Sequence, residues 1–248
     1  MFFRFNRIWM TLFVAVVLGA SSSNAQNLTM ATGEWIPFTS ASMAHFGEFT
    51  KSVTIVLNEM GAEPDYRFYP WGRCFDSVEK GRVWAAFPYS YTVERAKKVW
   101  YSDKLSCSKT VFFYYNGEGP PREYHFERLE DLKPYRIGGV TGYFYEESFK
   151  NAGLLVDYVN KEINAMEKLK MGRIDLMPVN ERVGWRLIKT HFPDDAHKFK
   201  TLAKPLDVTH LRLIVSKDYP GSKNLLQRFN NALQRCIHKG LIKIETCK

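Results

Sequence analysis

The sequence predicts an α/β protein of two lobes, each built on an α/β sheet, with a ligand crevice between the lobes. Three observations indicate this fold. Segments with strand and helix patterns alternate along the chain. The alternation restarts after residues 116–121, N-G-E-G-P-P, which have the composition of a linker. A short pattern, helix end to Gly-Arg to apolar strand to proline, occurs once in each half.

In the first half, strand candidates alternate with helices and loops. Residues 28–31 predict a strand, and residues 35–38 predict a loop because Pro37 has no N–H to donate to a sheet. Apolar side chains at helical spacing from Phe46 to Met60 predict a helix that ends at Gly61. The remaining predictions are a strand at 66–69, a turn at 70–72 leading into a short helix, and strands at 83–87 and 111–115.

In the second half, the same kinds of element return. We predict strands at residues 135–140, 156–159, 174–179 and 211–215. Helical patterns lie between these strands, one opening at Thr141 and others at residues 163–170, 181–190 and 222–237.

Residues 80–88 resemble residues 171–178, and each stretch ends in a strand followed by polar residues. Ligands of open α/β sheets bind beyond the carboxyl ends of strands. We therefore expect a polar loop at 88–92, with Tyr89 and Ser90, to face Asn180 across one crevice. Arg95 follows this loop, and its planar guanidinium fits a carboxylate. The alternative for Arg95 is a structural ion pair with Glu94 or Asp103.

The composition is that of a globular protein. The chain has 248 residues, 45% hydrophobic and 25% charged, and an aromatic content of 15% suits a pocket that binds by stacking. The net charge of +9 is not concentrated in any basic run, so no nucleic-acid partner is expected. The six histidines show no metal-ligand spacing, and neither a metal site nor a cofactor is predicted.

The N-terminus has the pattern of a signal peptide. Arg4 and Arg7 precede an apolar run at residues 8–18, which is shorter than a typical membrane-spanning helix. Small residues up to Ala25 suit a cleavage site, so residues 1–25 predict export. Their removal leaves a net charge of 9 − 2 = +7. We expect the mature chain to be a soluble, exported monomer.

Export permits disulfides among the four cysteines, which are Cys74, Cys107, Cys236 and Cys247. Cys236 and Cys247 flank a turn at Gly240 and are one candidate pair. Four cysteines allow three pairings, and the sequence does not choose among them.

Seven short motifs follow one another along the chain and cover nearly all of its mature part. The first four lie at residues 35–38 (W-I-P-F), 70–73 (P-W-G-R), 92–95 (T-V-E-R) and 100–103 (W-Y-S-D). The last three are residues 129–140, Thr141-Gly142 and residues 172–175 (G-R-I-D). In this order they resemble the motifs of the periplasmic solute-binding proteins of family 3, which bind polar amino acids for ABC importers.

The resemblance implies a type II binding fold with hinge strands between the lobes. Residues 26–108 would form lobe 1, residues 109–208 lobe 2, and residues 209–248 would return to lobe 1. Arg95 would anchor the ligand carboxylate. The other expected ligand contacts are Ser90, Tyr89, Trp35, Phe38, Trp71, Arg73, Thr141, Gly142 and Tyr143. The alternatives are a hydroxyl that caps its own backbone for Ser90, core packing for Trp35 and Trp71, packing of the lobe for Tyr143, and a solvated helix start for Arg73.

One position departs from the family pattern. The family's amine-binding aspartate falls on Asn180, which has no negative charge to pair with an α-ammonium. Asn180 is also suited to cap the helix after it. The sequence therefore predicts an acidic group on the ligand more firmly than an amino acid.

The resulting functional hypothesis is a periplasmic binding protein, not an enzyme. It would capture a carboxylate-bearing small molecule by lobe closure and deliver it to a membrane permease or sensor. The alternative is an exported dehydratase on the same scaffold, acting on a prephenate-like acid. Such an enzyme needs a general acid in the crevice, for which Glu34 and Glu94 are available.

Overall fold

The computed structural model describes residues 26–117, 123–244 and 247. The predicted signal peptide and part of the predicted linker lie outside these residues. The strands are β1 (Gln26–Thr32), β2 (Ala62–Phe68), β3 (Ala85–Ser90), β4 (Trp100–Tyr101), β5 (Ser106–Tyr115), β6 (Ile137–Val140), β7 (Val156–Val159), β8 (Met177–Asn180), β9 (Phe199–Thr201) and β10 (Asp207–Val215).

The helices alternate with these strands. They are α1 (Glu48–Glu59), α2 (Trp71–Glu79), α3 (Val93–Lys98), α4 (Glu146–Asn151), α5 (Glu162–Lys170), α6 (Glu181–His191) and α7 (Ser222–His238). Short 3-10 turns lie at Ala44–Phe46, Leu129–Leu132 and Ala196–Lys198. No helix in the described part of the chain is both long and apolar enough to span a bilayer.

One mixed sheet has the strand order β2-β1-β3-β10-β5-β8, and β4 and β9 pair with β10 and β5. Strand β1 is parallel to β2 and β3, whereas β10 runs antiparallel to β3 and β5. Strand β5 pairs with β10 through residues 106–110 and with β8 and β9 through residues 110–115. The two long strands β5 and β10 therefore connect the two halves of the molecule.

The two halves are the two lobes. Helices α1 and α2 pack against the β2-β1-β3 side, α7 packs against α1, and α5 and α6 pack against β5 and β8. A second sheet, formed by the parallel pair β6 and β7, joins β8 through a bridge between Ile137 and Leu176. The α/β, two-lobed fold predicted from the sequence is confirmed. The predicted boundaries at residues 108 and 208 fall inside β5 and β10 and stay a prediction.

Strand β3 differs from the expectation, because residues 88–90 belong to the strand rather than to a loop. Pro88 sits opposite a register shift in β10, between Arg212 and Ile214, and no partner is assigned to it in the ladder. A bulge removes the need for an N–H at that position, so the proline is tolerated inside the sheet. The strand consequently carries Tyr89 and Ser90 on a rigid element.

The internal sequence repeat has a structural counterpart. Gly81 follows α2 and Gly172 follows α5, and both have a φ of 65°. A positive φ at the residue that ends a helix strongly favours glycine. Both stretches then lead into strands, β3 and β8, as the sequence pattern predicts.

The predicted disulfide between Cys236 and Cys247 is wrong. Cys247 pairs with Cys107 on β5, with a Cα–Cα distance of 5.4 Å across a sequence separation of 140 residues. Cys236 is a free, fully buried thiol, because α7 turns it into the core. Helical packing, rather than closeness in sequence, therefore selects the pair.

Candidate functional site

A cavity of about 60 Å³ lies where the carboxyl ends of β3 and β8 meet β5 and β10, the strands that connect the lobes. Both lobes contribute to its wall. The lining residues are Trp35, Trp71, Pro88, Tyr89, Ser90, Arg95, Ser108, Thr110, Gly142, Tyr143, Phe144, Asn180 and Leu211. The structure thus brings together eight of the eleven residues that the sequence assigned to the site.

Arg95 is held in this cavity by the first turn of α3. Its backbone N–H donates to the Thr92 hydroxyl at 3.2 Å, which fixes the start of the helix. Its guanidinium donates to the Ser90 carbonyl at 3.4 Å and, from the opposite lobe, to the Gly142 carbonyl at 2.9 Å. No carboxylate of the described residues pairs with Arg95, so its full positive charge faces neutral acceptors.

The aromatic side of the cavity supports the arginine. The Tyr89 ring lies 5.0 Å from the Arg95 guanidinium, at cation–π distance. The Tyr89 hydroxyl donates to the Trp71 carbonyl at 2.9 Å, and the two rings meet edge to face. Burial raises the pKa of Tyr89 well above its ordinary value, so the phenol stays neutral. Gly33 permits this packing, because a Cβ there would lie 2.7 Å from the Trp71 ring.

Trp35 is buried and stacks on Phe38 with ring centroids 4.6 Å apart. Its indole nitrogen has no hydrogen-bond partner among the described residues. Phe38 packs behind Trp35, and the Arg182 guanidinium lies 4.8 Å from the centroid of the Phe38 ring. Trp35 thus lines the cavity, and Phe38 supports it from behind.

Three further predicted contacts lie away from the cavity wall. Phe38 is one of them. The exposed Arg73 places its guanidinium 4.2 Å from the Tyr69 ring centroid. Thr141 is exposed, and its backbone N–H donates to the Val159 carbonyl. Ligand contact by these residues stays a prediction.

Asn180 ends β8 and caps α6. Its side-chain oxygen accepts from the backbone N–H groups of Arg182 at 3.0 Å and Val183 at 3.2 Å. Its side-chain nitrogen donates to the Ser108 hydroxyl at 3.0 Å. The Asn180 amide lines the cavity, but its oxygen and one of its N–H groups already form hydrogen bonds within the protein.

Gly142 and Tyr143 form the second lobe's side of the cavity. Gly142 has a φ of 86°, and a Cβ on it would lie 3.2 Å from the Gly72 nitrogen of the opposite lobe. Its N–H donates to the Glu146 carboxylate at 2.8 Å. The Tyr143 hydroxyl donates to Glu162, the first residue of α5. Burial raises the pKa of Tyr143 well above its ordinary value.

Several lining residues were missed by sequence reasoning. Ser108 and Thr110 are buried polar side chains two positions apart on β5, so they share one face of the strand. Their alternation in the sequence S-C-S-K-T is a usable signal, which the short strand prediction at 111–115 left out. Leu211, on β10, lay at the start of a predicted strand, and nothing in the sequence marked it as a cavity residue.

A second, larger cavity of about 790 Å³ also lies between the lobes. Trp35 and Trp71 line both cavities and separate them. The other residues of its wall are Glu34, Ile36, Phe68, Tyr69, Pro70, Asn160, Lys161, Glu162, Ile163, Val183 and Leu187. No pattern in the sequence marks Glu162 as a cavity residue.

The first cavity is equipped to bind an anion. It combines one arginine with hydroxyl, amide and aromatic groups, and none of its lining residues is acidic. The general acids considered for a dehydratase lie elsewhere: Glu34 is exposed and accepts from the Ala41 N–H, and the exposed Glu94 does not line either cavity. Within the described residues, no group of His, Cys, Asp and Glu side chains is arranged to hold a metal ion.

Solved structures with the same arrangement include an ancestral arginine-binding protein bound to arginine. It has a TM-score of 0.72 and 21% identity, over 86% of this chain and 93% of that one. The chain has the two-lobed, type II periplasmic-binding-protein fold. Neither a scan against protein-family models nor a search of curated proteins gives a match.

Two other proteins with this fold differ in their setting. A histidine kinase sensor domain with similarity to periplasmic binding proteins has a TM-score of 0.72 and 17% identity, over 88% of this chain and 92% of that one. An ABC transporter substrate-binding protein from Streptococcus pneumoniae, with bound histidine, has a TM-score of 0.70 and 16% identity, over 86% and 88%. The fold therefore occurs in both transport and sensing.

Proposed function

We propose that the protein is an extracytoplasmic solute-binding protein of the family 3 type, which captures a small, carboxylate-bearing ligand between its lobes. The observation that carries the proposal is Arg95, an arginine without a carboxylate partner in an aromatic cavity to which both lobes contribute. A ligand carboxylate would accept hydrogen bonds from both guanidinium nitrogens of Arg95, in place of the Ser90 and Gly142 carbonyls. The absence of an acidic residue from the lining of the Arg95 cavity supports ligand binding rather than catalysis as its function.

Lobe movement is part of this function. A cavity of about 60 Å³ is far smaller than the ~300 Å³ at the lower end of ligand sites. Arg95 and the Gly142 carbonyl join the two lobes across it. Ligand entry therefore requires the lobes to separate, and the ligand would stabilise the closed form by replacing that direct contact.

The location follows from the same proposal. The disulfide between Cys107 and Cys247 is of a kind that persists in oxidising compartments. Together with the predicted signal peptide, it supports a periplasmic protein that acts with a membrane partner. An importer permease is the partner we favour, because structures of this fold include ABC transporter binding proteins.

A thermal-shift screen of amino acids, dicarboxylates and amines tests the proposal, since a ligand that binds the native state raises the melting temperature. We expect Arg95→Ala to abolish the shift given by the best ligand. Arg73→Ala is the matched control, because it removes an exposed arginine outside both cavities. A shift that survives intact in Arg95→Ala would show that Arg95 is not the anchor.

Two further measurements separate the alternatives. Mass spectrometry of the ligand after incubation should show no turnover, and loss of ligand would favour the dehydratase alternative. Cells lacking the protein should take up the ligand more slowly if the partner is an importer. Unchanged uptake with a lost transcriptional response would point to a sensor.

A further inference from the structure

We propose that the larger cavity binds a cationic group of the ligand and that Glu162 is the carboxylate that recognises it. This inference rests on the proposed function, because it concerns the other end of the ligand whose carboxylate Arg95 holds. It names the ligand class as a small molecule with a carboxylate at one end and an ammonium or guanidinium group at the other.

The sizes of the two cavities indicate that most of the ligand would occupy the larger one. The cavity at Arg95, of about 60 Å³, has room for a carboxylate and little more. The neighbouring cavity, of about 790 Å³, falls within the ~300–1,000 Å³ typical of ligand sites. Because Trp35 and Trp71 line both, a ligand held by Arg95 would extend past these two indoles into the larger space.

The wall of the larger cavity suits a cation. Phe68, Tyr69 and the two indoles supply aromatic rings, whose faces attract ammonium and guanidinium groups. Glu34 and Glu162 are the acidic residues of the wall, against one lysine, Lys161. Glu34 is exposed and already accepts from a backbone N–H, so Glu162 is the better candidate.

Glu162 is a carboxylate without a cationic partner among the described residues. Its side chain accepts from the Tyr143 hydroxyl, a neutral donor. Burial raises the pKa of Glu162, which means that its charge is poorly compensated in the folded protein. A ligand cation would supply the missing charge. A carboxylate at the start of α5 is favoured by the helix dipole. The dipole does not explain why the Glu162 side chain lines a cavity beside Tyr143.

Tyr143 connects the two ends of the ligand. Its side chain lines the cavity at Arg95, and its hydroxyl points to Glu162 in the other cavity. At the end of β8, where the resemblance places an amine-binding aspartate, this chain has Asn180. Its side-chain oxygen already accepts hydrogen bonds from the first turn of α6. The negative charge that the strand end lacks is thus provided by α5.

Matched pairs of compounds test the inference by calorimetry and thermal shift. 6-Aminohexanoate, lysine and arginine are compared with hexanoate, norleucine and citrulline, which lack the terminal ammonium or guanidinium group. We expect the best compound with a terminal cation to bind at least about tenfold more tightly than its counterpart without that group, since an ion pair in a shielded site outweighs a neutral contact. Glu162→Gln, which keeps the shape of the side chain, should reduce this preference to less than about threefold.

Glu34→Gln is the matched control and should retain the preference. The inference is overturned if Glu162→Gln keeps the full preference, or if Glu34→Gln alone removes it. The inference is also overturned, while the proposed function stands, if carboxylates that depend on Arg95 bind equally well with and without a terminal cation. Diamines that bind through Glu162 and are unaffected by Arg95→Ala would instead support the cation site and contradict the carboxylate anchor.

Discussion

Replacing Asn180 tests how the structure uses the residue that departs from the family pattern. Asn180→Ala removes a helix cap, which contributes about 1 kcal/mol, and a buried hydrogen bond to Ser108, which contributes about 1 kcal/mol more. The expected loss is therefore about 2 kcal/mol. For a chain of this size, it corresponds to a fall of about 4–8 °C in melting temperature.

Asn180→Asp should behave differently, because the carboxylate keeps the acceptor that caps α6. A negative charge near a helix N-terminus adds about 0.3–1 kcal/mol, and the Ser108 hydroxyl can turn to donate to it. This gain opposes the cost of placing a charge at a position that is 4% exposed. We expect a free energy of unfolding within about 1 kcal/mol of the original protein and tighter binding of α-amino acids.

Scanning calorimetry and urea unfolding measure both variants, and Asn164→Ala on the exposed face of α5 is the control for helix propensity. Two results would refute the reasoning. If Asn180→Ala melts within about 1 °C of the original protein, the capping bonds do not stabilise it. If Asn180→Asp loses as much as Asn180→Ala, burial of the charge outweighs the cap. No gain in binding would place any ligand amine elsewhere.

Three other changes have expected outcomes. Burial raises the pKa of Glu162 in the folded state, so ionisation of its carboxyl group destabilises the protein as the pH rises above the ordinary glutamate pKa of 4.5. Glu162→Gln should therefore raise the melting temperature at pH 7, and this gain should vanish at acid pH. Arg182→Ala breaks an exposed ion pair with Glu48 that joins the lobes, so it should lower the free energy of unfolding by less than about 1 kcal/mol but enlarge the radius of gyration in X-ray scattering. Lys204→Ala, which breaks an exposed ion pair with Glu127, should leave the radius of gyration unchanged. Cys107→Ser should lower stability by about 2–4 kcal/mol and make melting insensitive to reductant, while Cys236→Ser should remain sensitive.

Much of the fold is predictable from local sequence patterns. The helix from Phe46 to Met60 is predicted by the spacing of its apolar side chains, and the structure has α1 at Glu48–Glu59. Gly81 and Gly172 mark helix ends because a positive φ is local chemistry, readable without any knowledge of distant residues. Strands β5 and β10, which connect the lobes, were predicted too short; the polar residues at the start of β5 do not resemble a buried strand.

The candidate site was predicted in part. Arg95, Ser90, Trp35 and Trp71 were expected together in one crevice, and the cavity contains all four. These residues follow strands or turns whose positions the sequence indicates. Phe38, by contrast, lies behind Trp35, because which ring of a W-I-P-F loop faces the ligand depends on what packs against it.

The sequence by itself determined the order of the longer strands and helices and the presence of an arginine suited to a carboxylate, because both depend on neighbours along the chain. It did not indicate the short elements α3, β4 and β9. The tertiary structure alone decided which cysteine reaches Cys247, how Pro88 fits inside a strand, and that the Asn180 oxygen is taken by α6. It also brought Glu162 to the cavity wall. Each of these depends on contacts between residues far apart in the chain, which packing brings together and local patterns do not encode.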